Sequence, residues 1–78
     1  MENNIKNNIK VERARINFTQ KELATAIGVS FQTICKWEAE IDSCPTLKLL
    51  EMRNVFGCSL DYLVGLVDER GGVYYARR

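Results

Sequence analysis

Phe31, Gln32, Cys35 and Lys36 are spaced so that a helix running through them shows all four on one side, with Ile34 and Trp37 on the other. The four side chains suit recognition of a polar, anionic surface better than the making of bonds. If such a helix lies in a major groove of DNA, a glutamine amide offers paired hydrogen bonds to N6 and N7 of adenine, and a phenyl ring presses on a thymine methyl. A lysine ammonium there meets phosphate, and a cysteine is small enough to permit close approach. Plainer readings stand beside these: Phe31 equally suits packing against the first helix or a partner surface, and Cys35 has no neighbouring charge pattern that favours a thiolate. Enzyme chemistry has little to work with. The chain has no histidine, no phosphate-cradling glycine loop, and carboxylates scattered as on solvated helix faces. Its three cysteines, Cys35, Cys44 and Cys58, form an odd set without a CxxC pair, against both a disulfide framework and a structural zinc site. The expectation is therefore a binding protein with no metal, no cofactor and no catalytic residue.

The elements that position these residues announce themselves locally. Thr19 followed three residues later by Glu22 is a capping box, with Phe18 and Leu23 placed as a hydrophobic staple. Gly28 after Ile27 marks a left-handed helix end, and Ser30 offers a hydroxyl to cap the next helix. Two helices, over residues 20–27 and 31–38, joined by Gly28-Val29-Ser30, read as a helix-turn-helix with Leu23, Ala24, Ile27, Ile34 and Trp37 turned inward. Around this pair the pattern predicts a first helix over residues 4–16, with Ile5, Ile9, Arg13 and Ile16 on one stripe. A fourth helix over 46–56, capped by Thr46 and stopped by Gly57, carries Leu47, Leu49, Leu50, Met52 and Phe56 as apolar contributors. Ser59 caps a short fifth helix over 60–64 that Gly65 closes. At 78 residues the chain is one small domain. The fold class expected is all-α, a compact five-helix bundle over residues 1–66 with a short tail over 67–78. In that tail Gly71-Gly72 ends any helix, and Val73-Tyr74-Tyr75 has strand propensity ahead of Arg77-Arg78. A disordered terminus, a strand across a dimer, docking on the core and a charged arm to DNA all remain open for it.

Thr19-Gln20, Glu22-Leu23-Ala24, Gly28-Val29-Ser30, Thr33-Ile34, Trp37-Glu38, Pro45 and Ser59-Leu60-Asp61-Tyr62-Leu63 together give the chain a family likeness. From about Ile9 to Gly65 it resembles the lambda-repressor-like, or Cro-type, helix-turn-helix domains of phage and bacterial regulators. The resemblance implies a DNA-binding transcriptional regulator, most simply a repressor, that occupies an inverted-repeat operator as a homodimer. Double-stranded DNA is then the partner, with no membrane or small-molecule ligand. It further implies base contacts from Phe31, Gln32, Cys35 and Lys36, and phosphate contacts from Gln20, Ser30 and Thr33, with Lys21 and Lys48 as flanking cations. It implies an ion pair between Arg13 and Glu38 that ties the first helix to the end of the third, and a two-fold contact through Tyr62, Leu63 and Leu66, although for Leu63 a plain core position is the favoured reading.

Departures from the family's pattern motivate a second reading. Relatives commonly carry glycine where this chain has Glu40, and basic residues in the loop that here reads Ala39-Glu40-Ile41-Asp42-Ser43-Cys44. Two acidic groups near phosphates weaken binding. Eleven basic against ten acidic residues leave a net charge of only +1, so distribution matters more than total. Lys6, Lys10, Arg15, Lys21, Lys36 and Lys48 are the candidates for one positive face. The alternative is a protein-interaction module on the same fold, an antitoxin-like or anti-regulator subunit whose DNA surface has decayed. No apolar run spans a bilayer and no signal-peptide pattern is present, so a cytoplasmic location is expected.

Overall fold

A computed structural model describes residues 7–70. Among these the chain forms α1 (Ile9–Arg15), α2 (Gln20–Ile27), α3 (Phe31–Ala39), a 3-10 turn (Ile41–Ser43), α4 (Thr46–Phe56) and α5 (Leu60–Leu63). No described residue is in a strand. Ile9, Leu23, Ala24, Ile27, Ile34, Trp37, Ile41, Cys44, Met52, Phe56, Cys58, Tyr62 and Leu63 form one buried cluster to which every helix contributes.

The local signals act as their chemistry requires. Thr19 Oγ1 accepts from the Glu22 amide at 3.0 Å, and Glu22 Oε1 accepts from the Thr19 amide at 2.8 Å, closing the capping box of α2. Gly28 takes φ 73°, and Val29 N donates to the Ala24 carbonyl at 2.9 Å, so the chain reverses in one left-handed step. Ser30 caps α3 by accepting from Thr33 N at 3.2 Å, and Ser59 caps α5 by accepting from Tyr62 N at 3.2 Å.

Several expectations need correction. The first helix begins at Ile9: Asn8 is its N-cap, and Asn7 Oδ1 accepts the Ile9 amide at 3.1 Å, so both asparagines stand before the helix. Ile5 lies outside the described residues. In α4 the N-cap is Pro45 and Thr46 is the first helical residue, its side chain making no cap. The buried stripe of that helix is Met52 and Phe56, with Leu49 and Val55 packed beside it. Leu47 stands five residues ahead of Met52, about 140° around the helix, and is 74% exposed instead of contributing to the core. Tyr62 and Leu63 are core, 8% and 0% exposed, as the plainer reading of Leu63 had it, and Leu66 is 68% exposed.

On α1, Glu12 is buried at 1% exposure. Its carboxylate accepts from Arg15 Nε at 2.9 Å, from Arg70 Nε at 3.0 and 3.2 Å, and from the Tyr62 hydroxyl at 3.3 Å. Both guanidiniums also donate to the carbonyl of Phe56, the last residue of α4, at 2.6 Å each. Cations at a helix C-terminus are favoured by its dipole, so the cluster satisfies a buried charge and a helix end together. Ser59 N bonds to the Arg70 carbonyl at 2.9 Å, and Val67 packs on the core. The described part of the 67–78 segment is thus docked; the remainder, with Val73-Tyr74-Tyr75 and Arg77-Arg78, lies outside the described residues.

Candidate nucleic-acid interface

The periodicity of α3 sorts its residues by burial. Ile34 and Trp37 are 0% and 6% exposed and share the one buried cluster with Ala24 of α2, which holds the helix onto the core. Phe31, Gln32 and Lys36 are exposed, while Cys35 and Thr33 are half-buried. The Phe31 ring, 39% exposed, sits in the first turn of α3.

A polar bracket fixes this helix to the other two. Arg13 Nε donates to Glu38 Oε2 at 2.7 Å and Arg13 Nη2 to Oε1 at 3.3 Å, a two-pronged ion pair whose side chains are 13% and 11% exposed. Arg13 Nη1 reaches on to the Phe18 carbonyl at 2.9 Å, and Gln20 Nε2 donates to Glu38 Oε1 at 3.1 Å. One carboxylate near the end of α3 therefore gathers a residue from α1 and the first residue of α2. The expected phosphate anchor Gln20 has one amide hydrogen committed to Glu38, which fixes the direction in which its amide faces outward. Ser30 and Thr33 share a hydroxyl contact of 2.8 Å at the start of α3.

The cationic rim differs from the one expected. Lys10, Lys21 and Lys36 are exposed. Arg15 is drawn to Glu12 and the Phe56 carbonyl, and Lys6 lies outside the described residues. Lys48, expected to meet phosphate, donates to the Ile27 carbonyl at 2.7 Å and to Glu51 Oε1 at 3.1 Å. Glu40 and Asp42 are exposed just past α3, as the loop sequence implied.

Three features were not read from the sequence: Glu12, Asn7 and the engaged Lys48. Glu12 had a signal, since it stands three residues after Ile9 on the buried side of α1. Asn7 and Lys48 bond backbone carbonyls 31 and 21 positions away, for which local pattern holds no sign. Thiol chemistry is suppressed away from α3: burial pushes the Cys44 thiol up to about 11. Burial, then the Glu12 charge, raises both Cys58 and Tyr62. Among the described residues no group of three or more histidine, cysteine, aspartate or glutamate side chains is placed to hold a metal ion. No described helix is long and apolar enough to cross a membrane.

A capped helix, a one-glycine reversal and a second helix presenting polar and aromatic side chains outward define a helix-turn-helix DNA-binding module. The helix-turn-helix family model matches residues 9–63, most of the chain, and the protein belongs to that family in its lambda-repressor-like form. This is a family of DNA-binding regulators rather than of enzymes. No curated protein and no solved structure matches the chain.

Proposed function

We propose that this protein is a sequence-specific transcriptional regulator, a small repressor that occupies an inverted-repeat operator as a symmetric dimer. The observation that carries the reading is the outward face of α3: Phe31, Gln32 and Lys36 are exposed on a helix whose other face is locked into the core. In the complex α3 enters the major groove. Gln32 reads a base edge, Phe31 and Cys35 meet it by apolar contact, and Lys36 engages phosphate at the groove edge. Gln20, Lys21, Ser30 and Thr33 hold the backbone. Two such helices, about 34 Å apart across a two-fold axis, fit successive major grooves. Of the residues expected at that axis, Leu66 has the exposure to form it. The folded head extends through Arg70, since that residue is bonded to Glu12 and Ser59. Repression then needs only steric exclusion of polymerase.

The second reading, a protein-interaction module, is favoured by the exposed Glu40 and Asp42 beside the end of α3. Binding-site selection on the full chain, followed by titration of the selected duplex at two salt concentrations, separates the two. Tight, salt-sensitive, selective binding supports the regulator, and no binding at low salt supports the module. On the selected site, Gln32→Ala is expected to cost about 1 to 3 kcal/mol and to relax preference at one base pair. Lys36→Ala should weaken all sequences evenly. Parental discrimination by both variants would remove α3 as the reader.

A further inference from the structure

The turn between α2 and α3 closes part of its own backbone. Gly28 N donates to the Thr25 carbonyl at 3.3 Å, and Val29 N to that of Ala24 at 2.9 Å. The carbonyl of Ile27, the last residue of α2, is met from outside the motif by Lys48 Nζ of α4 at 2.7 Å. On its other side the ammonium contacts Glu51 Oε1 at 3.1 Å, one turn along α4. The end of α3 is treated the same way, for Asn7 Nδ2 donates to the Glu38 carbonyl at 3.0 Å. Terminal carbonyls of a helix lack partners within it, and a cation placed there interacts favourably with the helix dipole.

We propose that Lys48 is a positioning residue for DNA recognition: it pins the carbonyl just before the turn to α4 and so sets the angle at which α3 is presented, and it is not a ligand of phosphate. Two of its three hydrogens are committed, to Ile27 and to Glu51. The Glu51 carboxylate also offsets the positive charge that a phosphate would seek. The residues from Gly28 to Ser30 are the only covalent link between α2 and α3, so the direction of the Ile27 carbonyl propagates directly into the axis of α3. The inference rests on the DNA-binding reading above, and its test keeps the two apart.

Lys48→Met in the full chain removes the ammonium and keeps the apolar stem. A brace predicts that affinity for the selected duplex falls on the order of tenfold, because a reading helix presented at a shifted angle loses part of its base contacts. Affinity for random duplex and the slope of log K against log salt should then stay parental. A phosphate ligand predicts a slope smaller by about 1, with selected and random duplexes weakened together, and that result overturns the proposal. Unchanged binding to both duplexes overturns it as well. In the unsubstituted protein without DNA, the Lys48 ammonium should give a slowly exchanging nitrogen-proton resonance that couples to the Ile27 carbonyl carbon. A freely exchanging ammonium sinks the brace whether or not the variant folds, whereas a parent that binds no duplex while keeping this resonance sinks only the DNA-binding reading.

Discussion

The α2–turn–α3 half and the Glu12 cluster are two ways of holding helices together. In the first, Leu23, Ala24, Ile27, Ile34 and Trp37 bury apolar surface, and the groups that cap the helices sit within a few residues of their partners, while Arg13, Gln20 and Lys48 add ties over longer separations. In the second, a carboxylate that is 1% exposed is held by Arg15 and Arg70, whose side chains are 43% and 38% exposed. The difference teaches that the helix boundaries of the recognition half are specified by local sequence and that its packing is stabilised by the hydrophobic effect. The Glu12 cluster is specified by charge satisfaction over long separations and keeps access to water. A buried ion pair adds little net stability but penalises alternatives that leave the charge alone.

The largest expected effect lies in the apolar half. Leu23 is fully buried, and Leu23→Ala should cost about 2 to 5 kcal/mol through lost transfer energy and the void left behind. A small single-core domain has only about 5 kcal/mol to lose, so urea denaturation should find the variant with a midpoint well under the parent's and little stability left in buffer. A variant that melts like the parent would show that this half is not the stabilising one.

Alkaline titration compares the regions next. Cys44, buried in the loop after α3, has its thiol raised by burial from an ordinary value of 9.0 to about 11. Its contribution is fully present below about pH 9, where both folded and unfolded thiols are protonated, and is lost as pH rises towards 11 because only the unfolded thiol ionises readily. The loss amounts to about 2 to 3 kcal/mol by linkage. Tyr62 and Cys58, both raised, act with the same sign from the Glu12 cluster. Chemical denaturation across this range on the parent and on Cys44→Ala apportions the slope. A flattened curve in the variant assigns it to the loop after α3, and an unchanged curve assigns it to the cluster.

What was legible in the sequence follows the same division. Thr19 with Glu22, Gly28, and Ser30 act over three residues or fewer, so their types and spacing were enough to place α2, the turn and α3 within a residue. The tie between Arg13 and Glu38 was available only through family resemblance, since an arginine on an apolar stripe shows that a partner is needed without showing which. The Glu12 to Arg70 contact joins residues 58 positions apart, and no local rule selects Arg70 from the other arginines. The charge of Lys48 is visible in sequence, whereas its nearness to the end of α2 is not. Leu47 was counted as core from its type alone; the phase of α4, set by Met52 and Phe56, turns it to solvent.

Arg70→Ala tests the charged cluster more gently. The variant loses the contacts to Glu12 and the Phe56 carbonyl, but Arg15 remains on both, and the arginine removed was already 38% exposed. After discounting for solvent screening, the expected loss is about 1 kcal/mol, read as a lower urea midpoint at unchanged slope. A loss as large as that of Leu23→Ala would erase the contrast between the two regions, and no loss would make the Arg70 contact ornamental.

The smallest effect belongs to Asn17, which joins α1 to the recognition half. It takes φ 60°, the single described residue other than glycine with positive φ, while Phe18 N closes on the Arg13 carbonyl at 2.8 Å. Asparagine tolerates this left-handed conformation better than most side chains, and glycine better still. Asn17→Gly relieves strain in the folded state but also gives the unfolded chain more freedom, so the two terms oppose each other. Relief at a site already in the left-handed region should win by a margin of at most about 1 kcal/mol, seen as a slightly raised urea midpoint. Asn17→Ala should lower that midpoint by a similar amount. If both substitutions lower it, the asparagine side chain itself supports the junction, and the local backbone rule that accounts for Gly28 does not extend to the end of α1.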